Sequence, residues 1–477
     1  MSILLVNDRQ VSLAAPSGRA LLDVLRRDCG LTSIKEGCRE GDCGACLAIL
    51  AERRGAEVRF LPLNTCLTPF GDAVGRQIVT LEGLNRDELT PLQQALLEEG
   101  GSQCGFCTPG IIIAVTAYLL NAEALRADEA ILAAAGNLCR CTGYLSVKRA
   151  IRRLAERFSP EEFAAAARTG THARLRLLAK WRILPDYFTG IPDRLAGLPA
   201  AASGPLFPLR KAAVVAGGTD LYVQQGDELD TRPDIRLLSG REELRQLTCE
   251  NSAWTLGGGL TMQDLERSPE LAVRLPRLKD WMELIAAPGI RARATVAGNL
   301  VNASPIGDLT IILLALGASV VLHNGSARRE VPLHRFFLGY KQLDKQPDEL
   351  VEAVRFAAPP SGAAMNFEKV SRRKWLDIAS VNSSAYFEVD HGRIRAARLA
   401  AGGVAPVPLF LEHASAWLAG RSIDAQTMRG AADQAAAESS PITDVRGSAE
   451  YKRRLLRHLV FAHFLRLFPT ETEGFTP

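Results

Sequence analysis

The sequence predicts a multidomain α+β protein, because the spacing of its apolar residues changes along the chain. Short strand-like runs dominate residues 1–86, helical spacing follows to about residue 158, and strands and helices alternate beyond residue 212. With 477 residues, 47% of them hydrophobic, the chain is long enough to bury several cores. We therefore expect about three or four domains.

The first elements predict a compact sheet crossed by one helix. Strands are expected at 3–6, 11–13, 46–50, 58–63 and 77–81, with a hairpin turn at Asn7 and Asp8 between the first two. An amphipathic helix is expected over 20–29.

The next region predicts a small helical bundle, with helices over 92–98, 111–120, 129–135 and 147–158. An Ala-, Pro- and Gly-rich stretch after it is typical of a connector between domains. We expect domains over 1–86, 87–165, 207–357 and 363–470, and a linker over 166–206.

Charge and hydropathy exclude several classes of function. The formal net charge is +4, and the basic residues are dispersed, so no nucleic-acid surface is indicated. Runs such as Lys452-Arg453-Arg454 are typical of a solvated helix face. No apolar run approaches the ~20 residues that span a bilayer. The apolar start at Ile3–Val6 is too short for an export signal, so we expect a cytoplasmic, reducing location.

Eight of the ten cysteines form two groups within the first 141 residues. The first group has the C-x4-C-x2-C…C spacing of plant-type ferredoxins and consists of Cys38, Cys43, Cys46 and Cys66. Glycines between Gly37 and Cys46 allow backbone N–H groups to approach anionic sulfurs. This group therefore predicts a [2Fe-2S] cluster in a ferredoxin-like β-grasp domain.

The second group consists of Cys104, Cys107, Cys139 and Cys141. The first pair precedes Thr108-Pro109-Gly110 and an apolar run, so it lies at the expected start of a helix. A second [2Fe-2S] cluster is favoured. Structural zinc remains an alternative, because zinc also uses paired cysteines with short spacing. Cys29 and Cys249 lie outside both groups and are interpreted as small buried hydrophobes.

Two later segments are dense in small and polar residues. The first reads Val214, Val215, Ala216, Gly217, Gly218, Thr219, Asp220, Leu221, a strand that ends in a glycine turn. Such a turn exposes backbone N–H groups to a phosphate, although on its own it is often only a turn. The second runs from Thr295 to Asp308, and the chain has no Rossmann fingerprint.

These motifs, in this order, resemble the molybdenum hydroxylase family, and within it the bacterial xanthine dehydrogenases. Further similarity lies in Lys369-Val370-Ser371-Arg372-Arg373 and in the stretch from Arg446 to Tyr451, which resemble the C-terminal domain of the family's flavoproteins (CO dehydrogenase flavoprotein-like). The resemblance covers nearly the whole chain. It implies two [2Fe-2S] clusters and FAD.

The resemblance also implies roles for individual residues. The cluster held by Cys38, Cys43, Cys46 and Cys66 would lie nearer the flavin, and the cluster held by the other four cysteines nearer molybdenum. FAD would contact the segment from Val214 to Leu221. Further FAD contacts would come from Ile285, Thr295, Gly298, Asn299, Ser304, Asp308, Val351 and Lys369. No side chain of this chain is expected to act as a catalytic acid or base.

The chain departs from the family pattern near the expected flavin. Ile285 replaces an aromatic residue of animal relatives, Glu368 stands where they have lysine, and Lys374-Trp375-Leu376 replaces a more acidic run. The electron acceptor, NAD+ or oxygen, is therefore the property that the resemblance defines least.

The domain that binds molybdopterin would need several hundred further residues, so we expect it on a separate large subunit. Relatives suggest a heterotetramer of two small and two large subunits. The expected function is electron transfer from purine hydroxylation at molybdenum, through the clusters and FAD, to NAD+. Alternatives are the same role in an aldehyde or nitrogen-heterocycle hydroxylase, a flavoenzyme with zinc-bound N-terminal domains, and a scaffold without catalytic function.

Overall fold

A computed structural model of the protein describes residues 1–55, 57–199, 204–209 and 212–476, which form two compact units. The first unit contains Met1–Gly204, Ala212–Gly240 and Ala287–Arg293. The second contains Arg241–Ala286 and residues 294–476, together with a short segment that begins at Pro205. Both units combine strands and helices, which confirms the α+β fold class.

The first unit begins with a five-stranded sheet. Its strands are β1 (Ser2–Val6), β2 (Arg9–Leu13), β3 (Leu47–Arg54), β4 (Glu57–Asn64) and β5 (Gln77–Val79). They lie in the order β2-β1-β5-β3-β4, in which β1 and β5 are parallel and the other neighbours antiparallel. The turn of the expected hairpin contains Asn7, whose φ is 56°.

The α-helix expected over 20–29 is shorter than expected, and its second part has the wider π-helical geometry. Helix α1 (Leu21–Asp23) continues as a π-helical turn over Val24–Asp28, in which the Cys29 N–H donates to the Val24 carbonyl. Leu21 and Leu25 pack in one buried cluster with Ile78 of β5. The helix therefore covers one face of the sheet and leaves the loop before β3 at its edge.

A helical layer follows in the first unit and contains the four expected helices. They are α2 (Pro91–Glu98), α3 (Thr108–Asn121), α4 (Ala127–Ala133) and α5 (Leu145–Glu156). A capping box starts α2, with the Thr90 hydroxyl accepting from the Gln93 N–H and the Gln93 side chain accepting from the Thr90 N–H. Helix α3 is apolar on nearly all sides and lies at the centre of this layer.

The structure corrects the expected linker over 166–206. Helices α6 (Pro160–Thr169), α7 (Thr171–Lys180) and α8 (Ile191–Ala196) continue the helical layer. Leu175, Leu178 and Phe188 are fully buried in the same core as α3. Alanine is a strong helix former, so the Ala-rich composition supports helices once these apolar side chains find a core. Residues 200–203 lie outside the described residues.

The first unit also includes a parallel strand pair beyond this layer. Strands β6 (Ala213–Val215) and β7 (Ile235–Leu237) flank helix α9 (Leu221–Thr231). Val215 and Tyr222 are buried in the cluster that holds the β1–β5 sheet. The segment predicted to bind flavin phosphate therefore packs on the ferredoxin-like sheet.

The second unit begins with a mixed domain. Its strands are β8 (Leu247–Glu250), β9 (Ala253–Gly257), β10 (Ser319–His323), β11 (Arg328–Pro332), β12 (Phe337–Gly339), β13 (Gln342–Leu343) and β14 (Leu350–Ala357). Its helices are α10 (Met262–Glu266), α11 (Pro269–Arg274), α12 (Leu278–Glu283), α14 (Val296–Val301), α15 (Asp308–Ala315) and α16 (Leu333–Phe336). Helix α13 (Pro288–Arg291) lies between α12 and α14 in the sequence but belongs to the first unit. Five strands form an antiparallel sheet in the order β11-β10-β14-β9-β8.

The second unit ends with a four-stranded antiparallel sheet and three helices. The strands are β15 (Ala364–Val370), β16 (Val381–Asp390), β17 (Arg393–Gly402) and β18 (Leu409–Phe410), and the helices are α17 (Glu412–Leu418), α18 (Ala425–Glu438) and α19 (Ala449–Leu467). The structure corrects the prediction of a solvated helix face at 452–454, because the first of these residues is buried. Lys452 is buried and pairs with Asp444, at 2.7 Å from Nζ to Oδ2.

Within the described ranges, no helix combines the length and apolarity that crossing a membrane requires.

Candidate functional site

Three cysteines of the first group lie in a tight loop between the π-helical turn and β3, and the fourth, Cys66, lies in a short turn directly after β4. Arg39, Gly41 and Gly44 have positive φ angles of 55°, 78° and 65°. These angles turn backbone N–H groups toward sulfur: those of Glu40 and Cys43 donate to the Cys38 Sγ at 3.3 and 3.4 Å. A Cβ on Gly37 would lie 2.9 Å from the Cys43 Sγ, so glycine is needed for the loop to close around the thiolates.

The four cysteines of the first group approach one another in two pairs. Cys46 and Cys66 are buried, with their Sγ atoms 3.4 Å apart. This distance is far longer than the ~2.05 Å of a disulfide, so the pair consists of free thiols. Hydrogen bonding between partners lowers the pKa of Cys38 to about 5 and raises that of Cys43. In the same way it lowers the pKa of Cys46 and raises that of Cys66.

The second cysteine group lies at the start of α3 and in the loop before α5. Cys107 is the N-cap residue of α3. Gly105, between Cys104 and Cys107, has a positive φ of 80°. The Cys139 Sγ lies 3.1 Å from the Thr142 hydroxyl, and the Cys139 N–H donates to the Tyr144 hydroxyl at 3.1 Å. Tyr144 itself has a φ of 68°, a left-handed conformation that starts α5.

This group also forms two pairs. The Sγ atoms of Cys104 and Cys141 lie 3.5 Å apart on the surface. Burial, together with hydrogen bonding to Cys139, raises the pKa of Cys107 to about 12. Burial raises the pKa of Cys139, but hydrogen bonds from Thr142, Cys107 and Cys141 together lower it below its usual value. Each group therefore presents two pairs of sulfurs, the ligand set of a cluster with two irons.

Over the ranges that the structure describes, no three or more His, Cys, Asp or Glu side chains converge on a single ion-sized point. The arrangement of the sulfurs in two pairs fits a [2Fe-2S] cluster in both cysteine groups.

The two cysteine loops are joined directly by hydrogen bonds. The Leu138 N–H donates to the Cys43 carbonyl at 3.0 Å, and the Asn137 Nδ2 donates to the Gly44 carbonyl at 2.9 Å. Glycine makes this approach possible, since a Cβ on Gly110 would lie 2.2 Å from the Gly44 carbonyl oxygen. Cys43 is a predicted ligand of one cluster, and Leu138 precedes a predicted ligand of the other. Covalent and hydrogen bonds thus connect the two sites.

The glycine turn of the first predicted flavin segment follows β6. Gly218 has a φ of 78°, and the Tyr222 N–H donates to its carbonyl at 3.0 Å. A Cβ at Gly218 would lie 3.0 Å from the Leu67 carbonyl oxygen, so the turn contacts the segment that carries Cys66. The predicted residues from Val214 to Leu221 lie in the first unit.

The remaining predicted flavin residues lie in the second unit. The Thr295 hydroxyl caps α14 and accepts from the Gly298 N–H at 3.0 Å. Asn299 accepts from Thr310, and the Ser304 hydroxyl accepts from the Ile306 N–H. Ile285 and Val351 are buried apolar side chains. Whether these residues contact FAD stays a prediction.

The structure brings two of these predicted residues together. The Lys369 ammonium lies 2.8 Å from the Asp308 Oδ2 and also donates to the Leu284 carbonyl at 2.8 Å. Asn382 donates to the other oxygen of Asp308. Lys369 is 3% exposed and Asp308 11%, so this is a buried ion pair at the start of α15. The carboxylate has an internal partner in addition to any ligand.

Several residues with a role in this geometry were not predicted. They are Leu67, Asp72, Asn137, Arg293 and Asn382. Arg293 offered one signal in the sequence, because it is a charged residue among Ala292, Ala294 and an apolar run. The others carry none, since their roles depend on partners far away along the chain.

Family profiles match four consecutive parts of the chain. They are a 2Fe-2S iron-sulfur cluster binding domain over 4–70, a [2Fe-2S] binding domain over 80–152, an FAD binding domain in molybdopterin dehydrogenase over 199–359, and a CO dehydrogenase flavoprotein C-terminal domain over 366–467. The second match favours a cluster over zinc at Cys104, Cys107, Cys139 and Cys141.

Curated relatives agree with this domain order. Xanthine dehydrogenase of Emericella nidulans is 29% identical over 86% of this chain and 34% of its own length. Aldehyde oxidase 1 of Bos taurus is 26% identical over 94% of this chain and 38% of its own length. The chain thus spans little more than a third of the length of these relatives.

Two solved structures are similar to about half of the chain. Carbon monoxide dehydrogenase from Hydrogenophaga pseudoflava is 30% identical with a TM-score of 0.51, covering 54% of this chain and 90% of that chain. Quinoline 2-oxidoreductase from Pseudomonas putida 86 is 25% identical with a TM-score of 0.50, covering 54% and 89%.

Fold, cysteine pairs and domain matches together define an iron–sulfur flavoprotein that binds two [2Fe-2S] clusters and FAD. This combination of domains is specific. The chain belongs to the molybdenum hydroxylase family, of which it forms the iron–sulfur and FAD-binding part.

Proposed function

We propose that this chain is the electron-transfer subunit of a xanthine dehydrogenase, with a separate large subunit that binds molybdopterin and oxidises hypoxanthine and xanthine to urate. When bound, the clusters carry single electrons and FAD delivers pairs of them to NAD+. The observation that carries the proposal is the direct hydrogen bonding between the two cysteine loops, together with the contact between the segment that carries Cys66 and the glycine turn of the FAD domain.

The residues of this chain would position the cofactors and exclude water. Backbone N–H groups of Glu40 and Cys43 stabilise negative charge on the Cys38 sulfur, and such hydrogen bonds tune the potential of a cluster. The Cys46 and Cys66 pair is buried, which keeps solvent from the first cluster. These roles need no proton transfer by a side chain.

The second cluster would face the large subunit. Cys104 and Cys141 are exposed, and the apolar side chains of Phe106, Tyr144 and Leu145 near them are also exposed. Exposed aromatic and apolar side chains around a redox centre favour a protein partner. A heterotetramer of two small and two large subunits is proposed.

Asp308 is proposed to contact FAD. Replacement of Asp308 by Asn should lower the flavin content while both clusters remain. Since the Lys369 ammonium would lose its charged partner, Asp344→Asn serves as the control: it also removes a carboxylate that pairs with a cation, here Arg329. Flavin released by denaturation and measured per iron is the readout. Full flavin content in Asp308→Asn would show that the carboxylate serves only the ion pair.

A second candidate is the same role in an aldehyde hydroxylase, because bovine aldehyde oxidase 1 aligns with 94% of this chain, across cluster and flavin domains alike. The test of both is purification of the native complex and assay with xanthine, hypoxanthine and aldehydes, with NAD+ as acceptor. The proposal expects urate and NADH in equal amounts from xanthine. Oxidation of aldehydes alone would favour the second candidate, and oxygen as the sole acceptor would remove NAD+ from the proposal.

A further inference from the structure

A buried ion pair connects the ferredoxin-like sheet to the glycine turn of the FAD domain. The Arg293 Nη2 lies 2.5 Å from the Asp72 Oδ2, and the two side chains are only 6% and 3% exposed. The same guanidinium donates to the Gly217 carbonyl from Nε at 3.1 Å and from Nη2 at 2.9 Å. One side chain thus binds a carboxylate after β4 and a carbonyl of the turn.

The turn that Arg293 holds lies directly against a ligand segment of the first cluster. Gly218 follows the bonded carbonyl, and a Cβ there would lie 3.0 Å from the Leu67 carbonyl oxygen, so the turn packs closely on this segment. Leu67 is the residue after Cys66. The Tyr222 hydroxyl donates to the Gly18 carbonyl at 2.6 Å and supports the turn from its other end.

The ion pair between Asp72 and Arg293 fixes local geometry more precisely than stabilisation of the fold requires. Well-packed apolar residues often stabilise a fold as well as a buried ion pair does, whereas removal of one partner leaves an uncompensated charge. The planar guanidinium fixes the direction of each hydrogen bond, so it defines the geometry of two groups at once. The pair therefore suits a place where distance matters.

We propose that Asp72 and Arg293 are positioning residues that hold the flavin-binding turn in fixed register with the cluster segment at Cys66. This inference rests on the proposed function, in which electrons move between the first cluster and FAD. Electron transfer of this kind makes and breaks no bond, so its rate depends on the separation of the two carriers. Neither residue needs to touch a cofactor.

The test uses the complete protein with variants at both positions. Arg293→Met removes the positive charge and all hydrogen-bond donors. Arg293→Lys keeps the charge but loses the planar guanidinium with its several donors. Asp72→Asn keeps the shape of the side chain but removes its negative charge. Arg149→Met is the control, since Arg149 forms an exposed ion pair with Glu99 in the helical layer. Iron, sulfide and flavin contents are measured for each.

The decisive measurement is the magnetic relaxation of the flavin radical. In half-reduced protein, the microwave power that half-saturates the flavin signal in electron paramagnetic resonance reports its interaction with the reduced first cluster. A misplacement of about 1 Å has large effects on reacting groups, and we expect the half-saturation power to fall at least about twofold in Arg293→Met. Arg293→Lys should be intermediate and Arg149→Met unchanged.

Each outcome decides a different point. Unchanged half-saturation power in Arg293→Met and in Asp72→Asn, with full flavin, overturns the inference. Loss of flavin with both clusters retained supports it, whereas loss of the first cluster as well contradicts it, because the pair would then only stabilise the sheet. Wild-type protein without any flavin–cluster interaction would instead contradict the proposed relay itself.

Discussion

The two cysteine loops hold the same kind of cluster in opposite surroundings. In the first group Cys46 and Cys66 are buried, and the segment that carries Cys66 lies against the glycine turn of the FAD domain. In the second loop Cys104 and Cys141 are exposed, among exposed apolar side chains. The difference indicates that one cluster exchanges electrons within the chain and the other with a partner.

The loops also differ in how they hold thiolates. The first depends on glycines and left-handed backbone, which aim N–H groups at sulfur. In the second, the Thr142 hydroxyl lies 3.1 Å from the Cys139 sulfur, and the Tyr144 hydroxyl accepts from the Cys139 N–H. In each group these contacts favour the charged form of one cysteine, Cys38 in the first and Cys139 in the second.

The largest expected effect comes from removing one ligand from each loop. Cys43→Ser should abolish the first cluster and leave the second, and Cys104→Ser should do the reverse, since the ligands come from separate loops. Iron and sulfide should fall by about half in each variant. Cys29→Ser, a half-buried cysteine outside both groups, is the control. Loss of both resonance signals from one replacement would contradict the independence of the loops.

The contact between the loops should tolerate no added methyl group. Gly110→Ala would place a Cβ 2.2 Å from the Gly44 carbonyl oxygen, so one loop must move. Overpacking of this kind costs about 1–3 kcal/mol. We expect a lower temperature for cluster loss and weaker magnetic coupling between the clusters.

Gly190→Ala is the matched control for this replacement, because a Cβ there meets no atom within 4 Å. Coupling and thermal stability equal to those of the wild type in Gly110→Ala would show that the loops are not held together here.

The smallest effect concerns the thiols of cluster-free protein. The Cys38 pKa is about 5, so its thiolate fraction, and hence its alkylation rate, should be constant above about pH 6. Burial raises the Cys107 pKa to about 12, so its rate should rise about tenfold per pH unit throughout the neutral range. Mass spectrometry of peptides after brief alkylation at several pH values measures both rates. Parallel pH profiles for the two cysteines would contradict the opposite shifts in their pKa values.

The sequence predicted the elements whose signals are local. The five strands, the hairpin and the four helices at 91–156 follow from periodicity and turn residues, and the two cysteine groups follow from spacing. The π-helical turn over Val24–Asp28 was not predictable, since it depends on how the helix meets the sheet.

The linker expected over 166–206 failed for a related reason. Its Ala-rich composition was interpreted as a connector, but Leu175 and Leu178 are buried in the same apolar core as α3. The ion pair of Asp72 with Arg293 spans 221 positions, and no local pattern could predict it.

The presence of two clusters and FAD on this chain is tested most directly by an anaerobic redox titration of freshly purified protein, followed by electron paramagnetic resonance with iron, sulfide and flavin analysis. We expect two distinct [2Fe-2S] signals and one flavin per chain, with Cys104→Ser removing one signal only. A single cluster, or zinc in place of iron at the second cysteine group, would overturn this assignment.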